Sequence, residues 1–130
     1  MLFRSDEQRK PLASVDFMAI QDPKIDQRLE SVLAFIDDHW HEAISLSEVA
    51  DVAGLHPRSI SRYFRSRLGK TFQDYVIELR LSRAARELLE SQRAISDVAF
   101  ACGFNNLANF NRLFRARYNV APREYRSKLD

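Results

Sequence analysis

The sequence is poor in the residues that punctuate or cross-link a chain: one cysteine, three glycines and four prolines in 130 residues. A single cysteine, Cys102, excludes an internal disulfide framework and a cysteine-based zinc site, and it fits a reducing, cytoplasmic setting. An all-β domain joins many short strands through many turns, so the shortage of glycine and proline favours a mainly helical fold. No segment alternates with period two for long enough to make a strand. No apolar run approaches the roughly 20 residues of a membrane span, and the opening Met1-Leu2-Phe3-Arg4-Ser5-Asp6-Glu7 lacks the apolar stretch of a signal peptide. There is no glycine-rich phosphate loop, no Ser/His/Asp arrangement and no metal-ligand cluster, so neither an enzyme nor a cofactor is expected. His39 and His41 are two residues apart and cannot share a helix face, which favours surface or packing roles over metal binding. The length suits one domain or two very small ones.

What is present is unevenly placed. Hydrophobic residues make up 45% and charged residues 29%, a globular composition. Residues 1–55 hold 5 Lys/Arg against 11 Asp/Glu, a net of −6, whereas residues 56–130 hold 15 against 7, a net of +8. Of the 20 basic residues 16 are arginine, the side chain suited to planar, bidentate recognition. A basic half without an enzyme motif points to an anionic polymer; an ordinary solvated surface explains the charge equally well.

Helix signals divide the chain. Asp22-Pro23 reads as a helix start, followed by an apolar stripe of Ile25, Leu29, Val32, Leu33 and Ile36 that runs to about His39 or Trp40. Ser45-Leu46-Ser47-Glu48 is a capping box, opening a short helix that stops at Gly54. Pro57 opens the next, which stops at Gly69. Thr71 caps a long helix to about Glu90, with Phe72, Tyr75, Val76, Leu79, Ala84 and Leu88 on its buried side. Ile95 to Cys102 forms another short helix, stopped by Gly103. Asn106 caps a helix reaching Tyr118, and Pro122 opens a last one through Arg126. The expected fold is therefore all-α, with about seven helices.

These helices repeat. Val49-Ala50 recurs as Val98-Ala99, and Gly54-Leu55 as Gly103-Phe104, at an offset of 49. Beyond the glycine the offset is 50: Arg62, Phe64, Arg65, Arg67, Gly69 and Tyr75 match Arg112, Phe114, Arg115, Arg117, Asn119 and Tyr125. Each half thus contains a short helix, a glycine turn and a second helix, the helix-turn-helix pattern. Ile60, Phe64 and Leu68 would pin the second helix of the first unit to the core. Arg58, Arg62 and Arg65 then project from its opposite face, with Ser61 on the flank. In the second unit Phe110, Leu113 and Phe114 face inward and Ala108, Arg112 and Arg115 outward, flanked by Asn109 and Asn111. An apolar back and an arginine-bearing front suit insertion into a DNA major groove, where arginine fits guanine and asparagine fits adenine. The same pattern fits two amphipathic helices of a plain bundle, and the residues alone leave both readings open. The linking helix, about 19 residues at about 1.5 Å each, is long enough to hold two recognition helices about 34 Å apart, one DNA turn.

Residues 46–126 resemble the AraC/XylS family of bacterial transcription regulators. Ala50, Gly54-Leu55, Ser61-Arg62-Tyr63-Phe64-Arg65, Gly69-Lys70-Thr71-Phe72 and Tyr75 carry the likeness. It continues through Arg80-Leu81, Ala84, Leu88-Leu89, Ile95, Val98-Ala99, Gly103-Phe104, Phe110, Arg112, Phe114, Pro122 and Tyr125-Arg126. The resemblance implies two helix-turn-helix units joined by one helix: a domain over 23–130, with the first unit at about 45–69, the linking helix at 71–90 and the second unit at about 94–118. It implies sequence-specific binding of double-stranded DNA and contact with RNA polymerase. By position it nominates Arg58, Ser61 and Arg62 on the first recognition helix and Leu107, Ala108, Asn109, Asn111 and Arg112 on the second. Ala108 and Asn109 depart from the family, which commonly has a hydroxyl residue and an aromatic there. The candidate DNA-binding set is Arg58, Ser61, Arg62, Arg65, Asn109, Asn111, Arg112 and Arg115. A small-molecule effector would act only through an N-terminal sensor domain, for which residues 1–22 are too short. They read as a linker or a remnant, with Phe17, Met18 and Ile20 as apolar residues that packed on such a domain or staple the first helix. The competing function is a truncated interaction module that modulates a full-length regulator through its acidic first half. Among the remaining residues, Cys102 reads as a small core residue, Arg80 as one arm of a salt bridge, His56 as a phosphate donor or a helix cap, and Arg123 and Arg126 as phosphate contacts or solvated surface.

Overall fold

The computed structural model describes residues 26–127, which form seven helices and no strand. They are α1 (Gln27–His39), α2 (Leu46–Ala53), α3 (Pro57–Leu68), α4 (Phe72–Glu90), α5 (Ile95–Ala101), α6 (Leu107–Tyr118) and α7 (Pro122–Ser127). The expected start at Asp22-Pro23, and the apolar residues 17–20, lie outside the described residues. The Asp26 carboxylate accepts from the Leu29 backbone N–H at 2.9 Å, so it satisfies one of the free donors at the start of α1.

Two compact units divide the chain. Among the described residues, the first comprises 26–39 together with Ile44–Phe72, and the second comprises Trp40–Ala43 and 73–127. In the first unit Leu29, Val32, Leu33 and Ile36 of α1 are buried, as their helical spacing requires, with Val49, Ala50, Ala53, Ile60, Phe64 and Phe72. Small Ala50 and Ala53 let α2 lie close to its neighbours. In the second unit the core is Leu81, Ala84, Ala85, Leu88, Val98, Ala99, Cys102, Phe104, Phe110 and Phe114. Leu81 and Ala85 join the buried side of α4 in addition to the expected residues, whereas Tyr75 and Leu79 are only half-buried. Leu68, expected in the core, is half-buried at the end of α3. Cys102 is buried as expected, and burial pushes its thiol up to about 11, which leaves it un-ionised and unreactive near neutrality.

The sequence repeat is also a repeat of hydrogen bonds. The Leu55 N–H donates to the Ala50 carbonyl at 2.9 Å and the Phe104 N–H to the Ala99 carbonyl at 3.1 Å, closing the two turns alike. Past the inserted residue, the Gly69 N–H donates to Arg65 and the Asn119 N–H to Arg115, each at 2.8 Å. Gly69 and Asn119 have φ of 75° and 66°, so Asn119 takes the left-handed cap that glycine holds in the first copy. The copies differ at their first helices. Ser45 and Glu48 form the expected reciprocal capping box on α2. The corresponding Ala94 has no side chain to cap α5.

Arg80 corrects the sequence expectation. Among the described residues its guanidinium makes no salt bridge with an acidic side chain; it donates to three backbone carbonyls of the second unit. Nε reaches Trp40 at 2.7 Å, Nη2 reaches Glu42 at 2.7 Å and Nη1 reaches Gly103 at 3.3 Å. A charged fork is well matched to carbonyls of a chain that leaves its helix, because those acceptors otherwise lack partners when water is excluded. Arg126 is corrected in the same sense: its Nε donates to the Leu88 carbonyl at 3.0 Å. That carbonyl lies in the last turn of α4, so Arg126 ties α7 to a helix C-terminus. Arg123 is exposed.

Candidate nucleic-acid interface

Each helix that follows a glycine turn is fixed by its back and leaves its front in solvent. In α3, Ile60 and Phe64 are fully buried. Arg58, Ser61, Arg62 and Arg65 are exposed, and among the described residues none of these arginines is held by an acidic side chain. In α6, Phe110 and Phe114 are fully buried, and Asn109, Asn111, Arg112 and Arg115 are exposed. All eight sequence-derived candidates are therefore exposed on the two second helices, four to each, away from their buried backs. Leu107 departs from its expected outward role: it is half-buried and packs on the core of the second unit. Its neighbour Ala108 is exposed.

The start of α3 is set by His56, whose Nδ1 accepts from the Arg58 N–H at 3.1 Å, with Pro57 at the first helical position. Of the two roles left open for His56, the structure shows the cap. Asn106 does the same for α6, its side-chain oxygen accepting from the Asn109 N–H at 2.8 Å. Three candidates are engaged within α6 and its surroundings. The Asn109 side-chain oxygen accepts from Arg112 Nη2, and Arg115 Nη1 lies 3.8 Å from Glu124 Oε1, an exposed ion pair that water screens.

Sequence reasoning missed a cluster on the flank of α3. Tyr63 donates its hydroxyl to Asp26 Oδ1 at 2.6 Å. Two guanidiniums approach its ring, with Arg67 at 5.0 Å and Arg28 at 5.9 Å from the centroid. Arg67 also lies 3.6 Å from Asp26 Oδ2. The cap of α1 is thereby tied to the body of α3. The Tyr63 hydroxyl and the Leu29 N–H, with the nearby guanidiniums, hold the Asp26 carboxyl below its usual 3.8. Burial and the Asp26 charge push the Tyr63 phenol up to about 12. Thirty-seven residues separate this pair, so no local spacing signalled it. Beside it, Leu55, Arg58, Ser59, Arg62, Tyr63, Ser66 and Arg67 line an open depression of about 400 Å³. Its three guanidiniums and two serine hydroxyls are donors suited to phosphate oxygens.

The cluster makes a prediction about acid stability. A carboxylate whose folded pKa is depressed adds stability that is present above its unfolded value and lost as pH falls through the folded one. The contribution of Asp26 should therefore be complete above about pH 4 and vanish below it. Tyr63→Phe should cost about 1 kcal/mol near neutrality and flatten the acid limb of the melting-temperature profile between pH 5 and pH 2. An unchanged limb would show that Asp26 gains nothing from Tyr63.

A helix-turn-helix domain family model matches residues 49–128, a span that contains both glycine turns and all eight candidates. The chain belongs to the AraC/XylS family. It is 36% identical over 105 residues to the HTH-type transcriptional activator RhaS of Enterobacter sp. (strain 638), an alignment covering 81% of this chain and 38% of that protein. The chain thus spans about two fifths of that activator's length. Among solved structures, an AraC-type regulator from Chromobacterium violaceum aligns with a TM-score of 0.72 and 30% identity, over 78% of this chain and 90% of that one. The DNA-binding domain of AdpA, a global transcriptional factor solved in complex with a target DNA, aligns with a TM-score of 0.74 and 29% identity, over 79% and 93%. In this AraC/XylS-type domain no described helix is long and apolar enough to cross a membrane. No group of potential metal ligands occurs among the described residues.

Proposed function

We propose that the chain is a sequence-specific DNA-binding regulator whose α3 and α6 read two successive major-groove segments. The observation that carries the reading is the duplicated front: two helices of the same length, each with fully buried phenylalanine on one side and exposed arginine on the other. Arg58, Ser61, Arg62, Asn109, Asn111 and Arg112, near the helix N-termini, face base edges and give specificity. Arg65 and Arg115, one turn further on, contact phosphates and give affinity and salt dependence. The depression beside α3 extends the phosphate surface through Ser59, Ser66 and Arg67. Two successive segments read by one chain make the target asymmetric rather than an obligatory palindrome. RNA polymerase as a partner, and control by a small-molecule effector bound in a separate domain, complete the proposal on the family's pattern.

Arg62 tests it. Arg62→Ala should weaken binding to a selected duplex by about 5- to 150-fold, the equivalent of about 1–3 kcal/mol, and relax sequence choice. Binding to scrambled duplex should change far less. An equal loss on every duplex, measured by fluorescence anisotropy, would make Arg62 a phosphate contact only.

A further inference from the structure

The two recognition helices differ at a pair of positions that the repeat places in register. Arg62 of α3 corresponds to Arg112 of α6, and three residues earlier Ser59 corresponds to Asn109. Residues three apart on a helix are neighbours on its surface. In α6 the pair is joined: the Asn109 side-chain oxygen accepts from Arg112 Nη2. The backbone of Asn109 is itself fixed, because its N–H is held by the Asn106 cap. Both side chains are exposed on the front of the helix.

This bond changes what the pair can offer a base. Asparagine reads adenine by accepting from N6 with its amide oxygen while donating to N7. With that oxygen turned to a guanidinium and one lone pair committed, Asn109 is poorly placed to give adenine its acceptor–donor pair. Arg112 has five N–H groups. One Nη2 hydrogen goes to Asn109, and a complete two-donor edge remains. Such an edge matches the O6 and N7 acceptors of guanine. Anchoring the guanidinium before DNA arrives also lowers the ordering cost of a long, flexible side chain.

We propose that Asn109 is a positioning residue that presents Arg112 to a guanine, so that α6 reads guanine and not adenine at the base facing this pair. The inference rests on the DNA-reading role of α6 argued above and goes further by naming the base and the division of labour. It reverses the simplest expectation from sequence, in which Asn109 seeks adenine by itself.

The test is selection from a random duplex library with the full chain and with Asn109→Asp, Asn109→Ala and Arg112→Ala. Asn109→Asp keeps an acceptor for Arg112 and removes the amide donors; Asn109→Ala removes both. The wild type should enrich a guanine at one position of one block. Arg112→Ala should abolish that preference, Asn109→Ala should weaken it several-fold, and Asn109→Asp should retain it even if its added negative charge lowers affinity for all sequences. An adenine whose enrichment depends on Asn109 would overturn the inference while leaving DNA reading by α6 intact. An Asn109→Ala profile identical to the wild type would overturn the positioning role. Binding by the wild type without any enriched block would overturn the underlying reading, and the inference with it.

Discussion

Phe114→Ala should destabilise the second unit by about 3–5 kcal/mol, a large part of the 5–15 kcal/mol that holds an ordinary domain folded. Phe114 has no solvent exposure. Its ring packs with Phe110, Tyr118 and Tyr125 at centroid distances of 5.6, 4.6 and 5.3 Å. Truncation therefore removes a buried ring and also separates an aromatic cluster that joins α6 to α7. The repeat partner Phe64 is equally buried and packs edge-on against Phe72 at 6.1 Å. The measurement is urea unfolding followed by the single tryptophan, Trp40, which packs against the core of the second unit. A shift worth less than about 1 kcal/mol would mean that the site refills or that Phe114 carries little of the core.

Gly103→Ala should cost about 3 kcal/mol, well above Gly54→Ala at about 1–2 kcal/mol. Both glycines close a helix-turn-helix turn with positive φ, 98° and 70°, where a side chain is strained. They differ in the space around them. A Cβ on Gly54 meets nothing within 4 Å, whereas one on Gly103 would lie 2.9 Å from Arg80 Nε and 3.1 Å from the His41 carbonyl oxygen. Arg80 cannot swing aside cheaply, because three carbonyls hold its guanidinium, and a displaced charged donor forfeits its bonds. Equal costs for the two variants, measured side by side by denaturant titration, would show that the Arg80 cradle is easily deformed.

Much of this architecture was legible because its determinants are local. Ser45 and Glu48, Gly54, Pro57, Gly69, Asn106, Asn119 and Pro122 each act within one turn of their own position, and the structure ends or begins a helix at each. The repeat was legible because identical turns use identical offsets. What could not be read depends on partners far along the chain or on backbone atoms. Arg80 binds carbonyls of residues 40, 42 and 103, and a carbonyl has no letter in the sequence. Arg126 reaches the Leu88 carbonyl for the same reason. Tyr63 meets Asp26 across 37 residues, so its role in tying α3 to α1 left no local pattern. The Asn109–Arg112 bond lies within helical reach, but which atoms each leaves free is decided by side-chain orientation. Leu107 looked outward by position, yet the second core draws it in.

Reading of DNA by one chain with two helices, as proposed for α3 and α6, has a direct signature. Selection from a random duplex library at moderate salt, with sequencing of the bound pool, tests it most directly. Two enriched blocks about one helical turn apart are expected, one of them lost on Arg62→Ala and the other on Arg112→Ala. Binding that collapses with salt and enriches no sequence would contradict it, leaving the arginine-bearing fronts as an electrostatic surface alone.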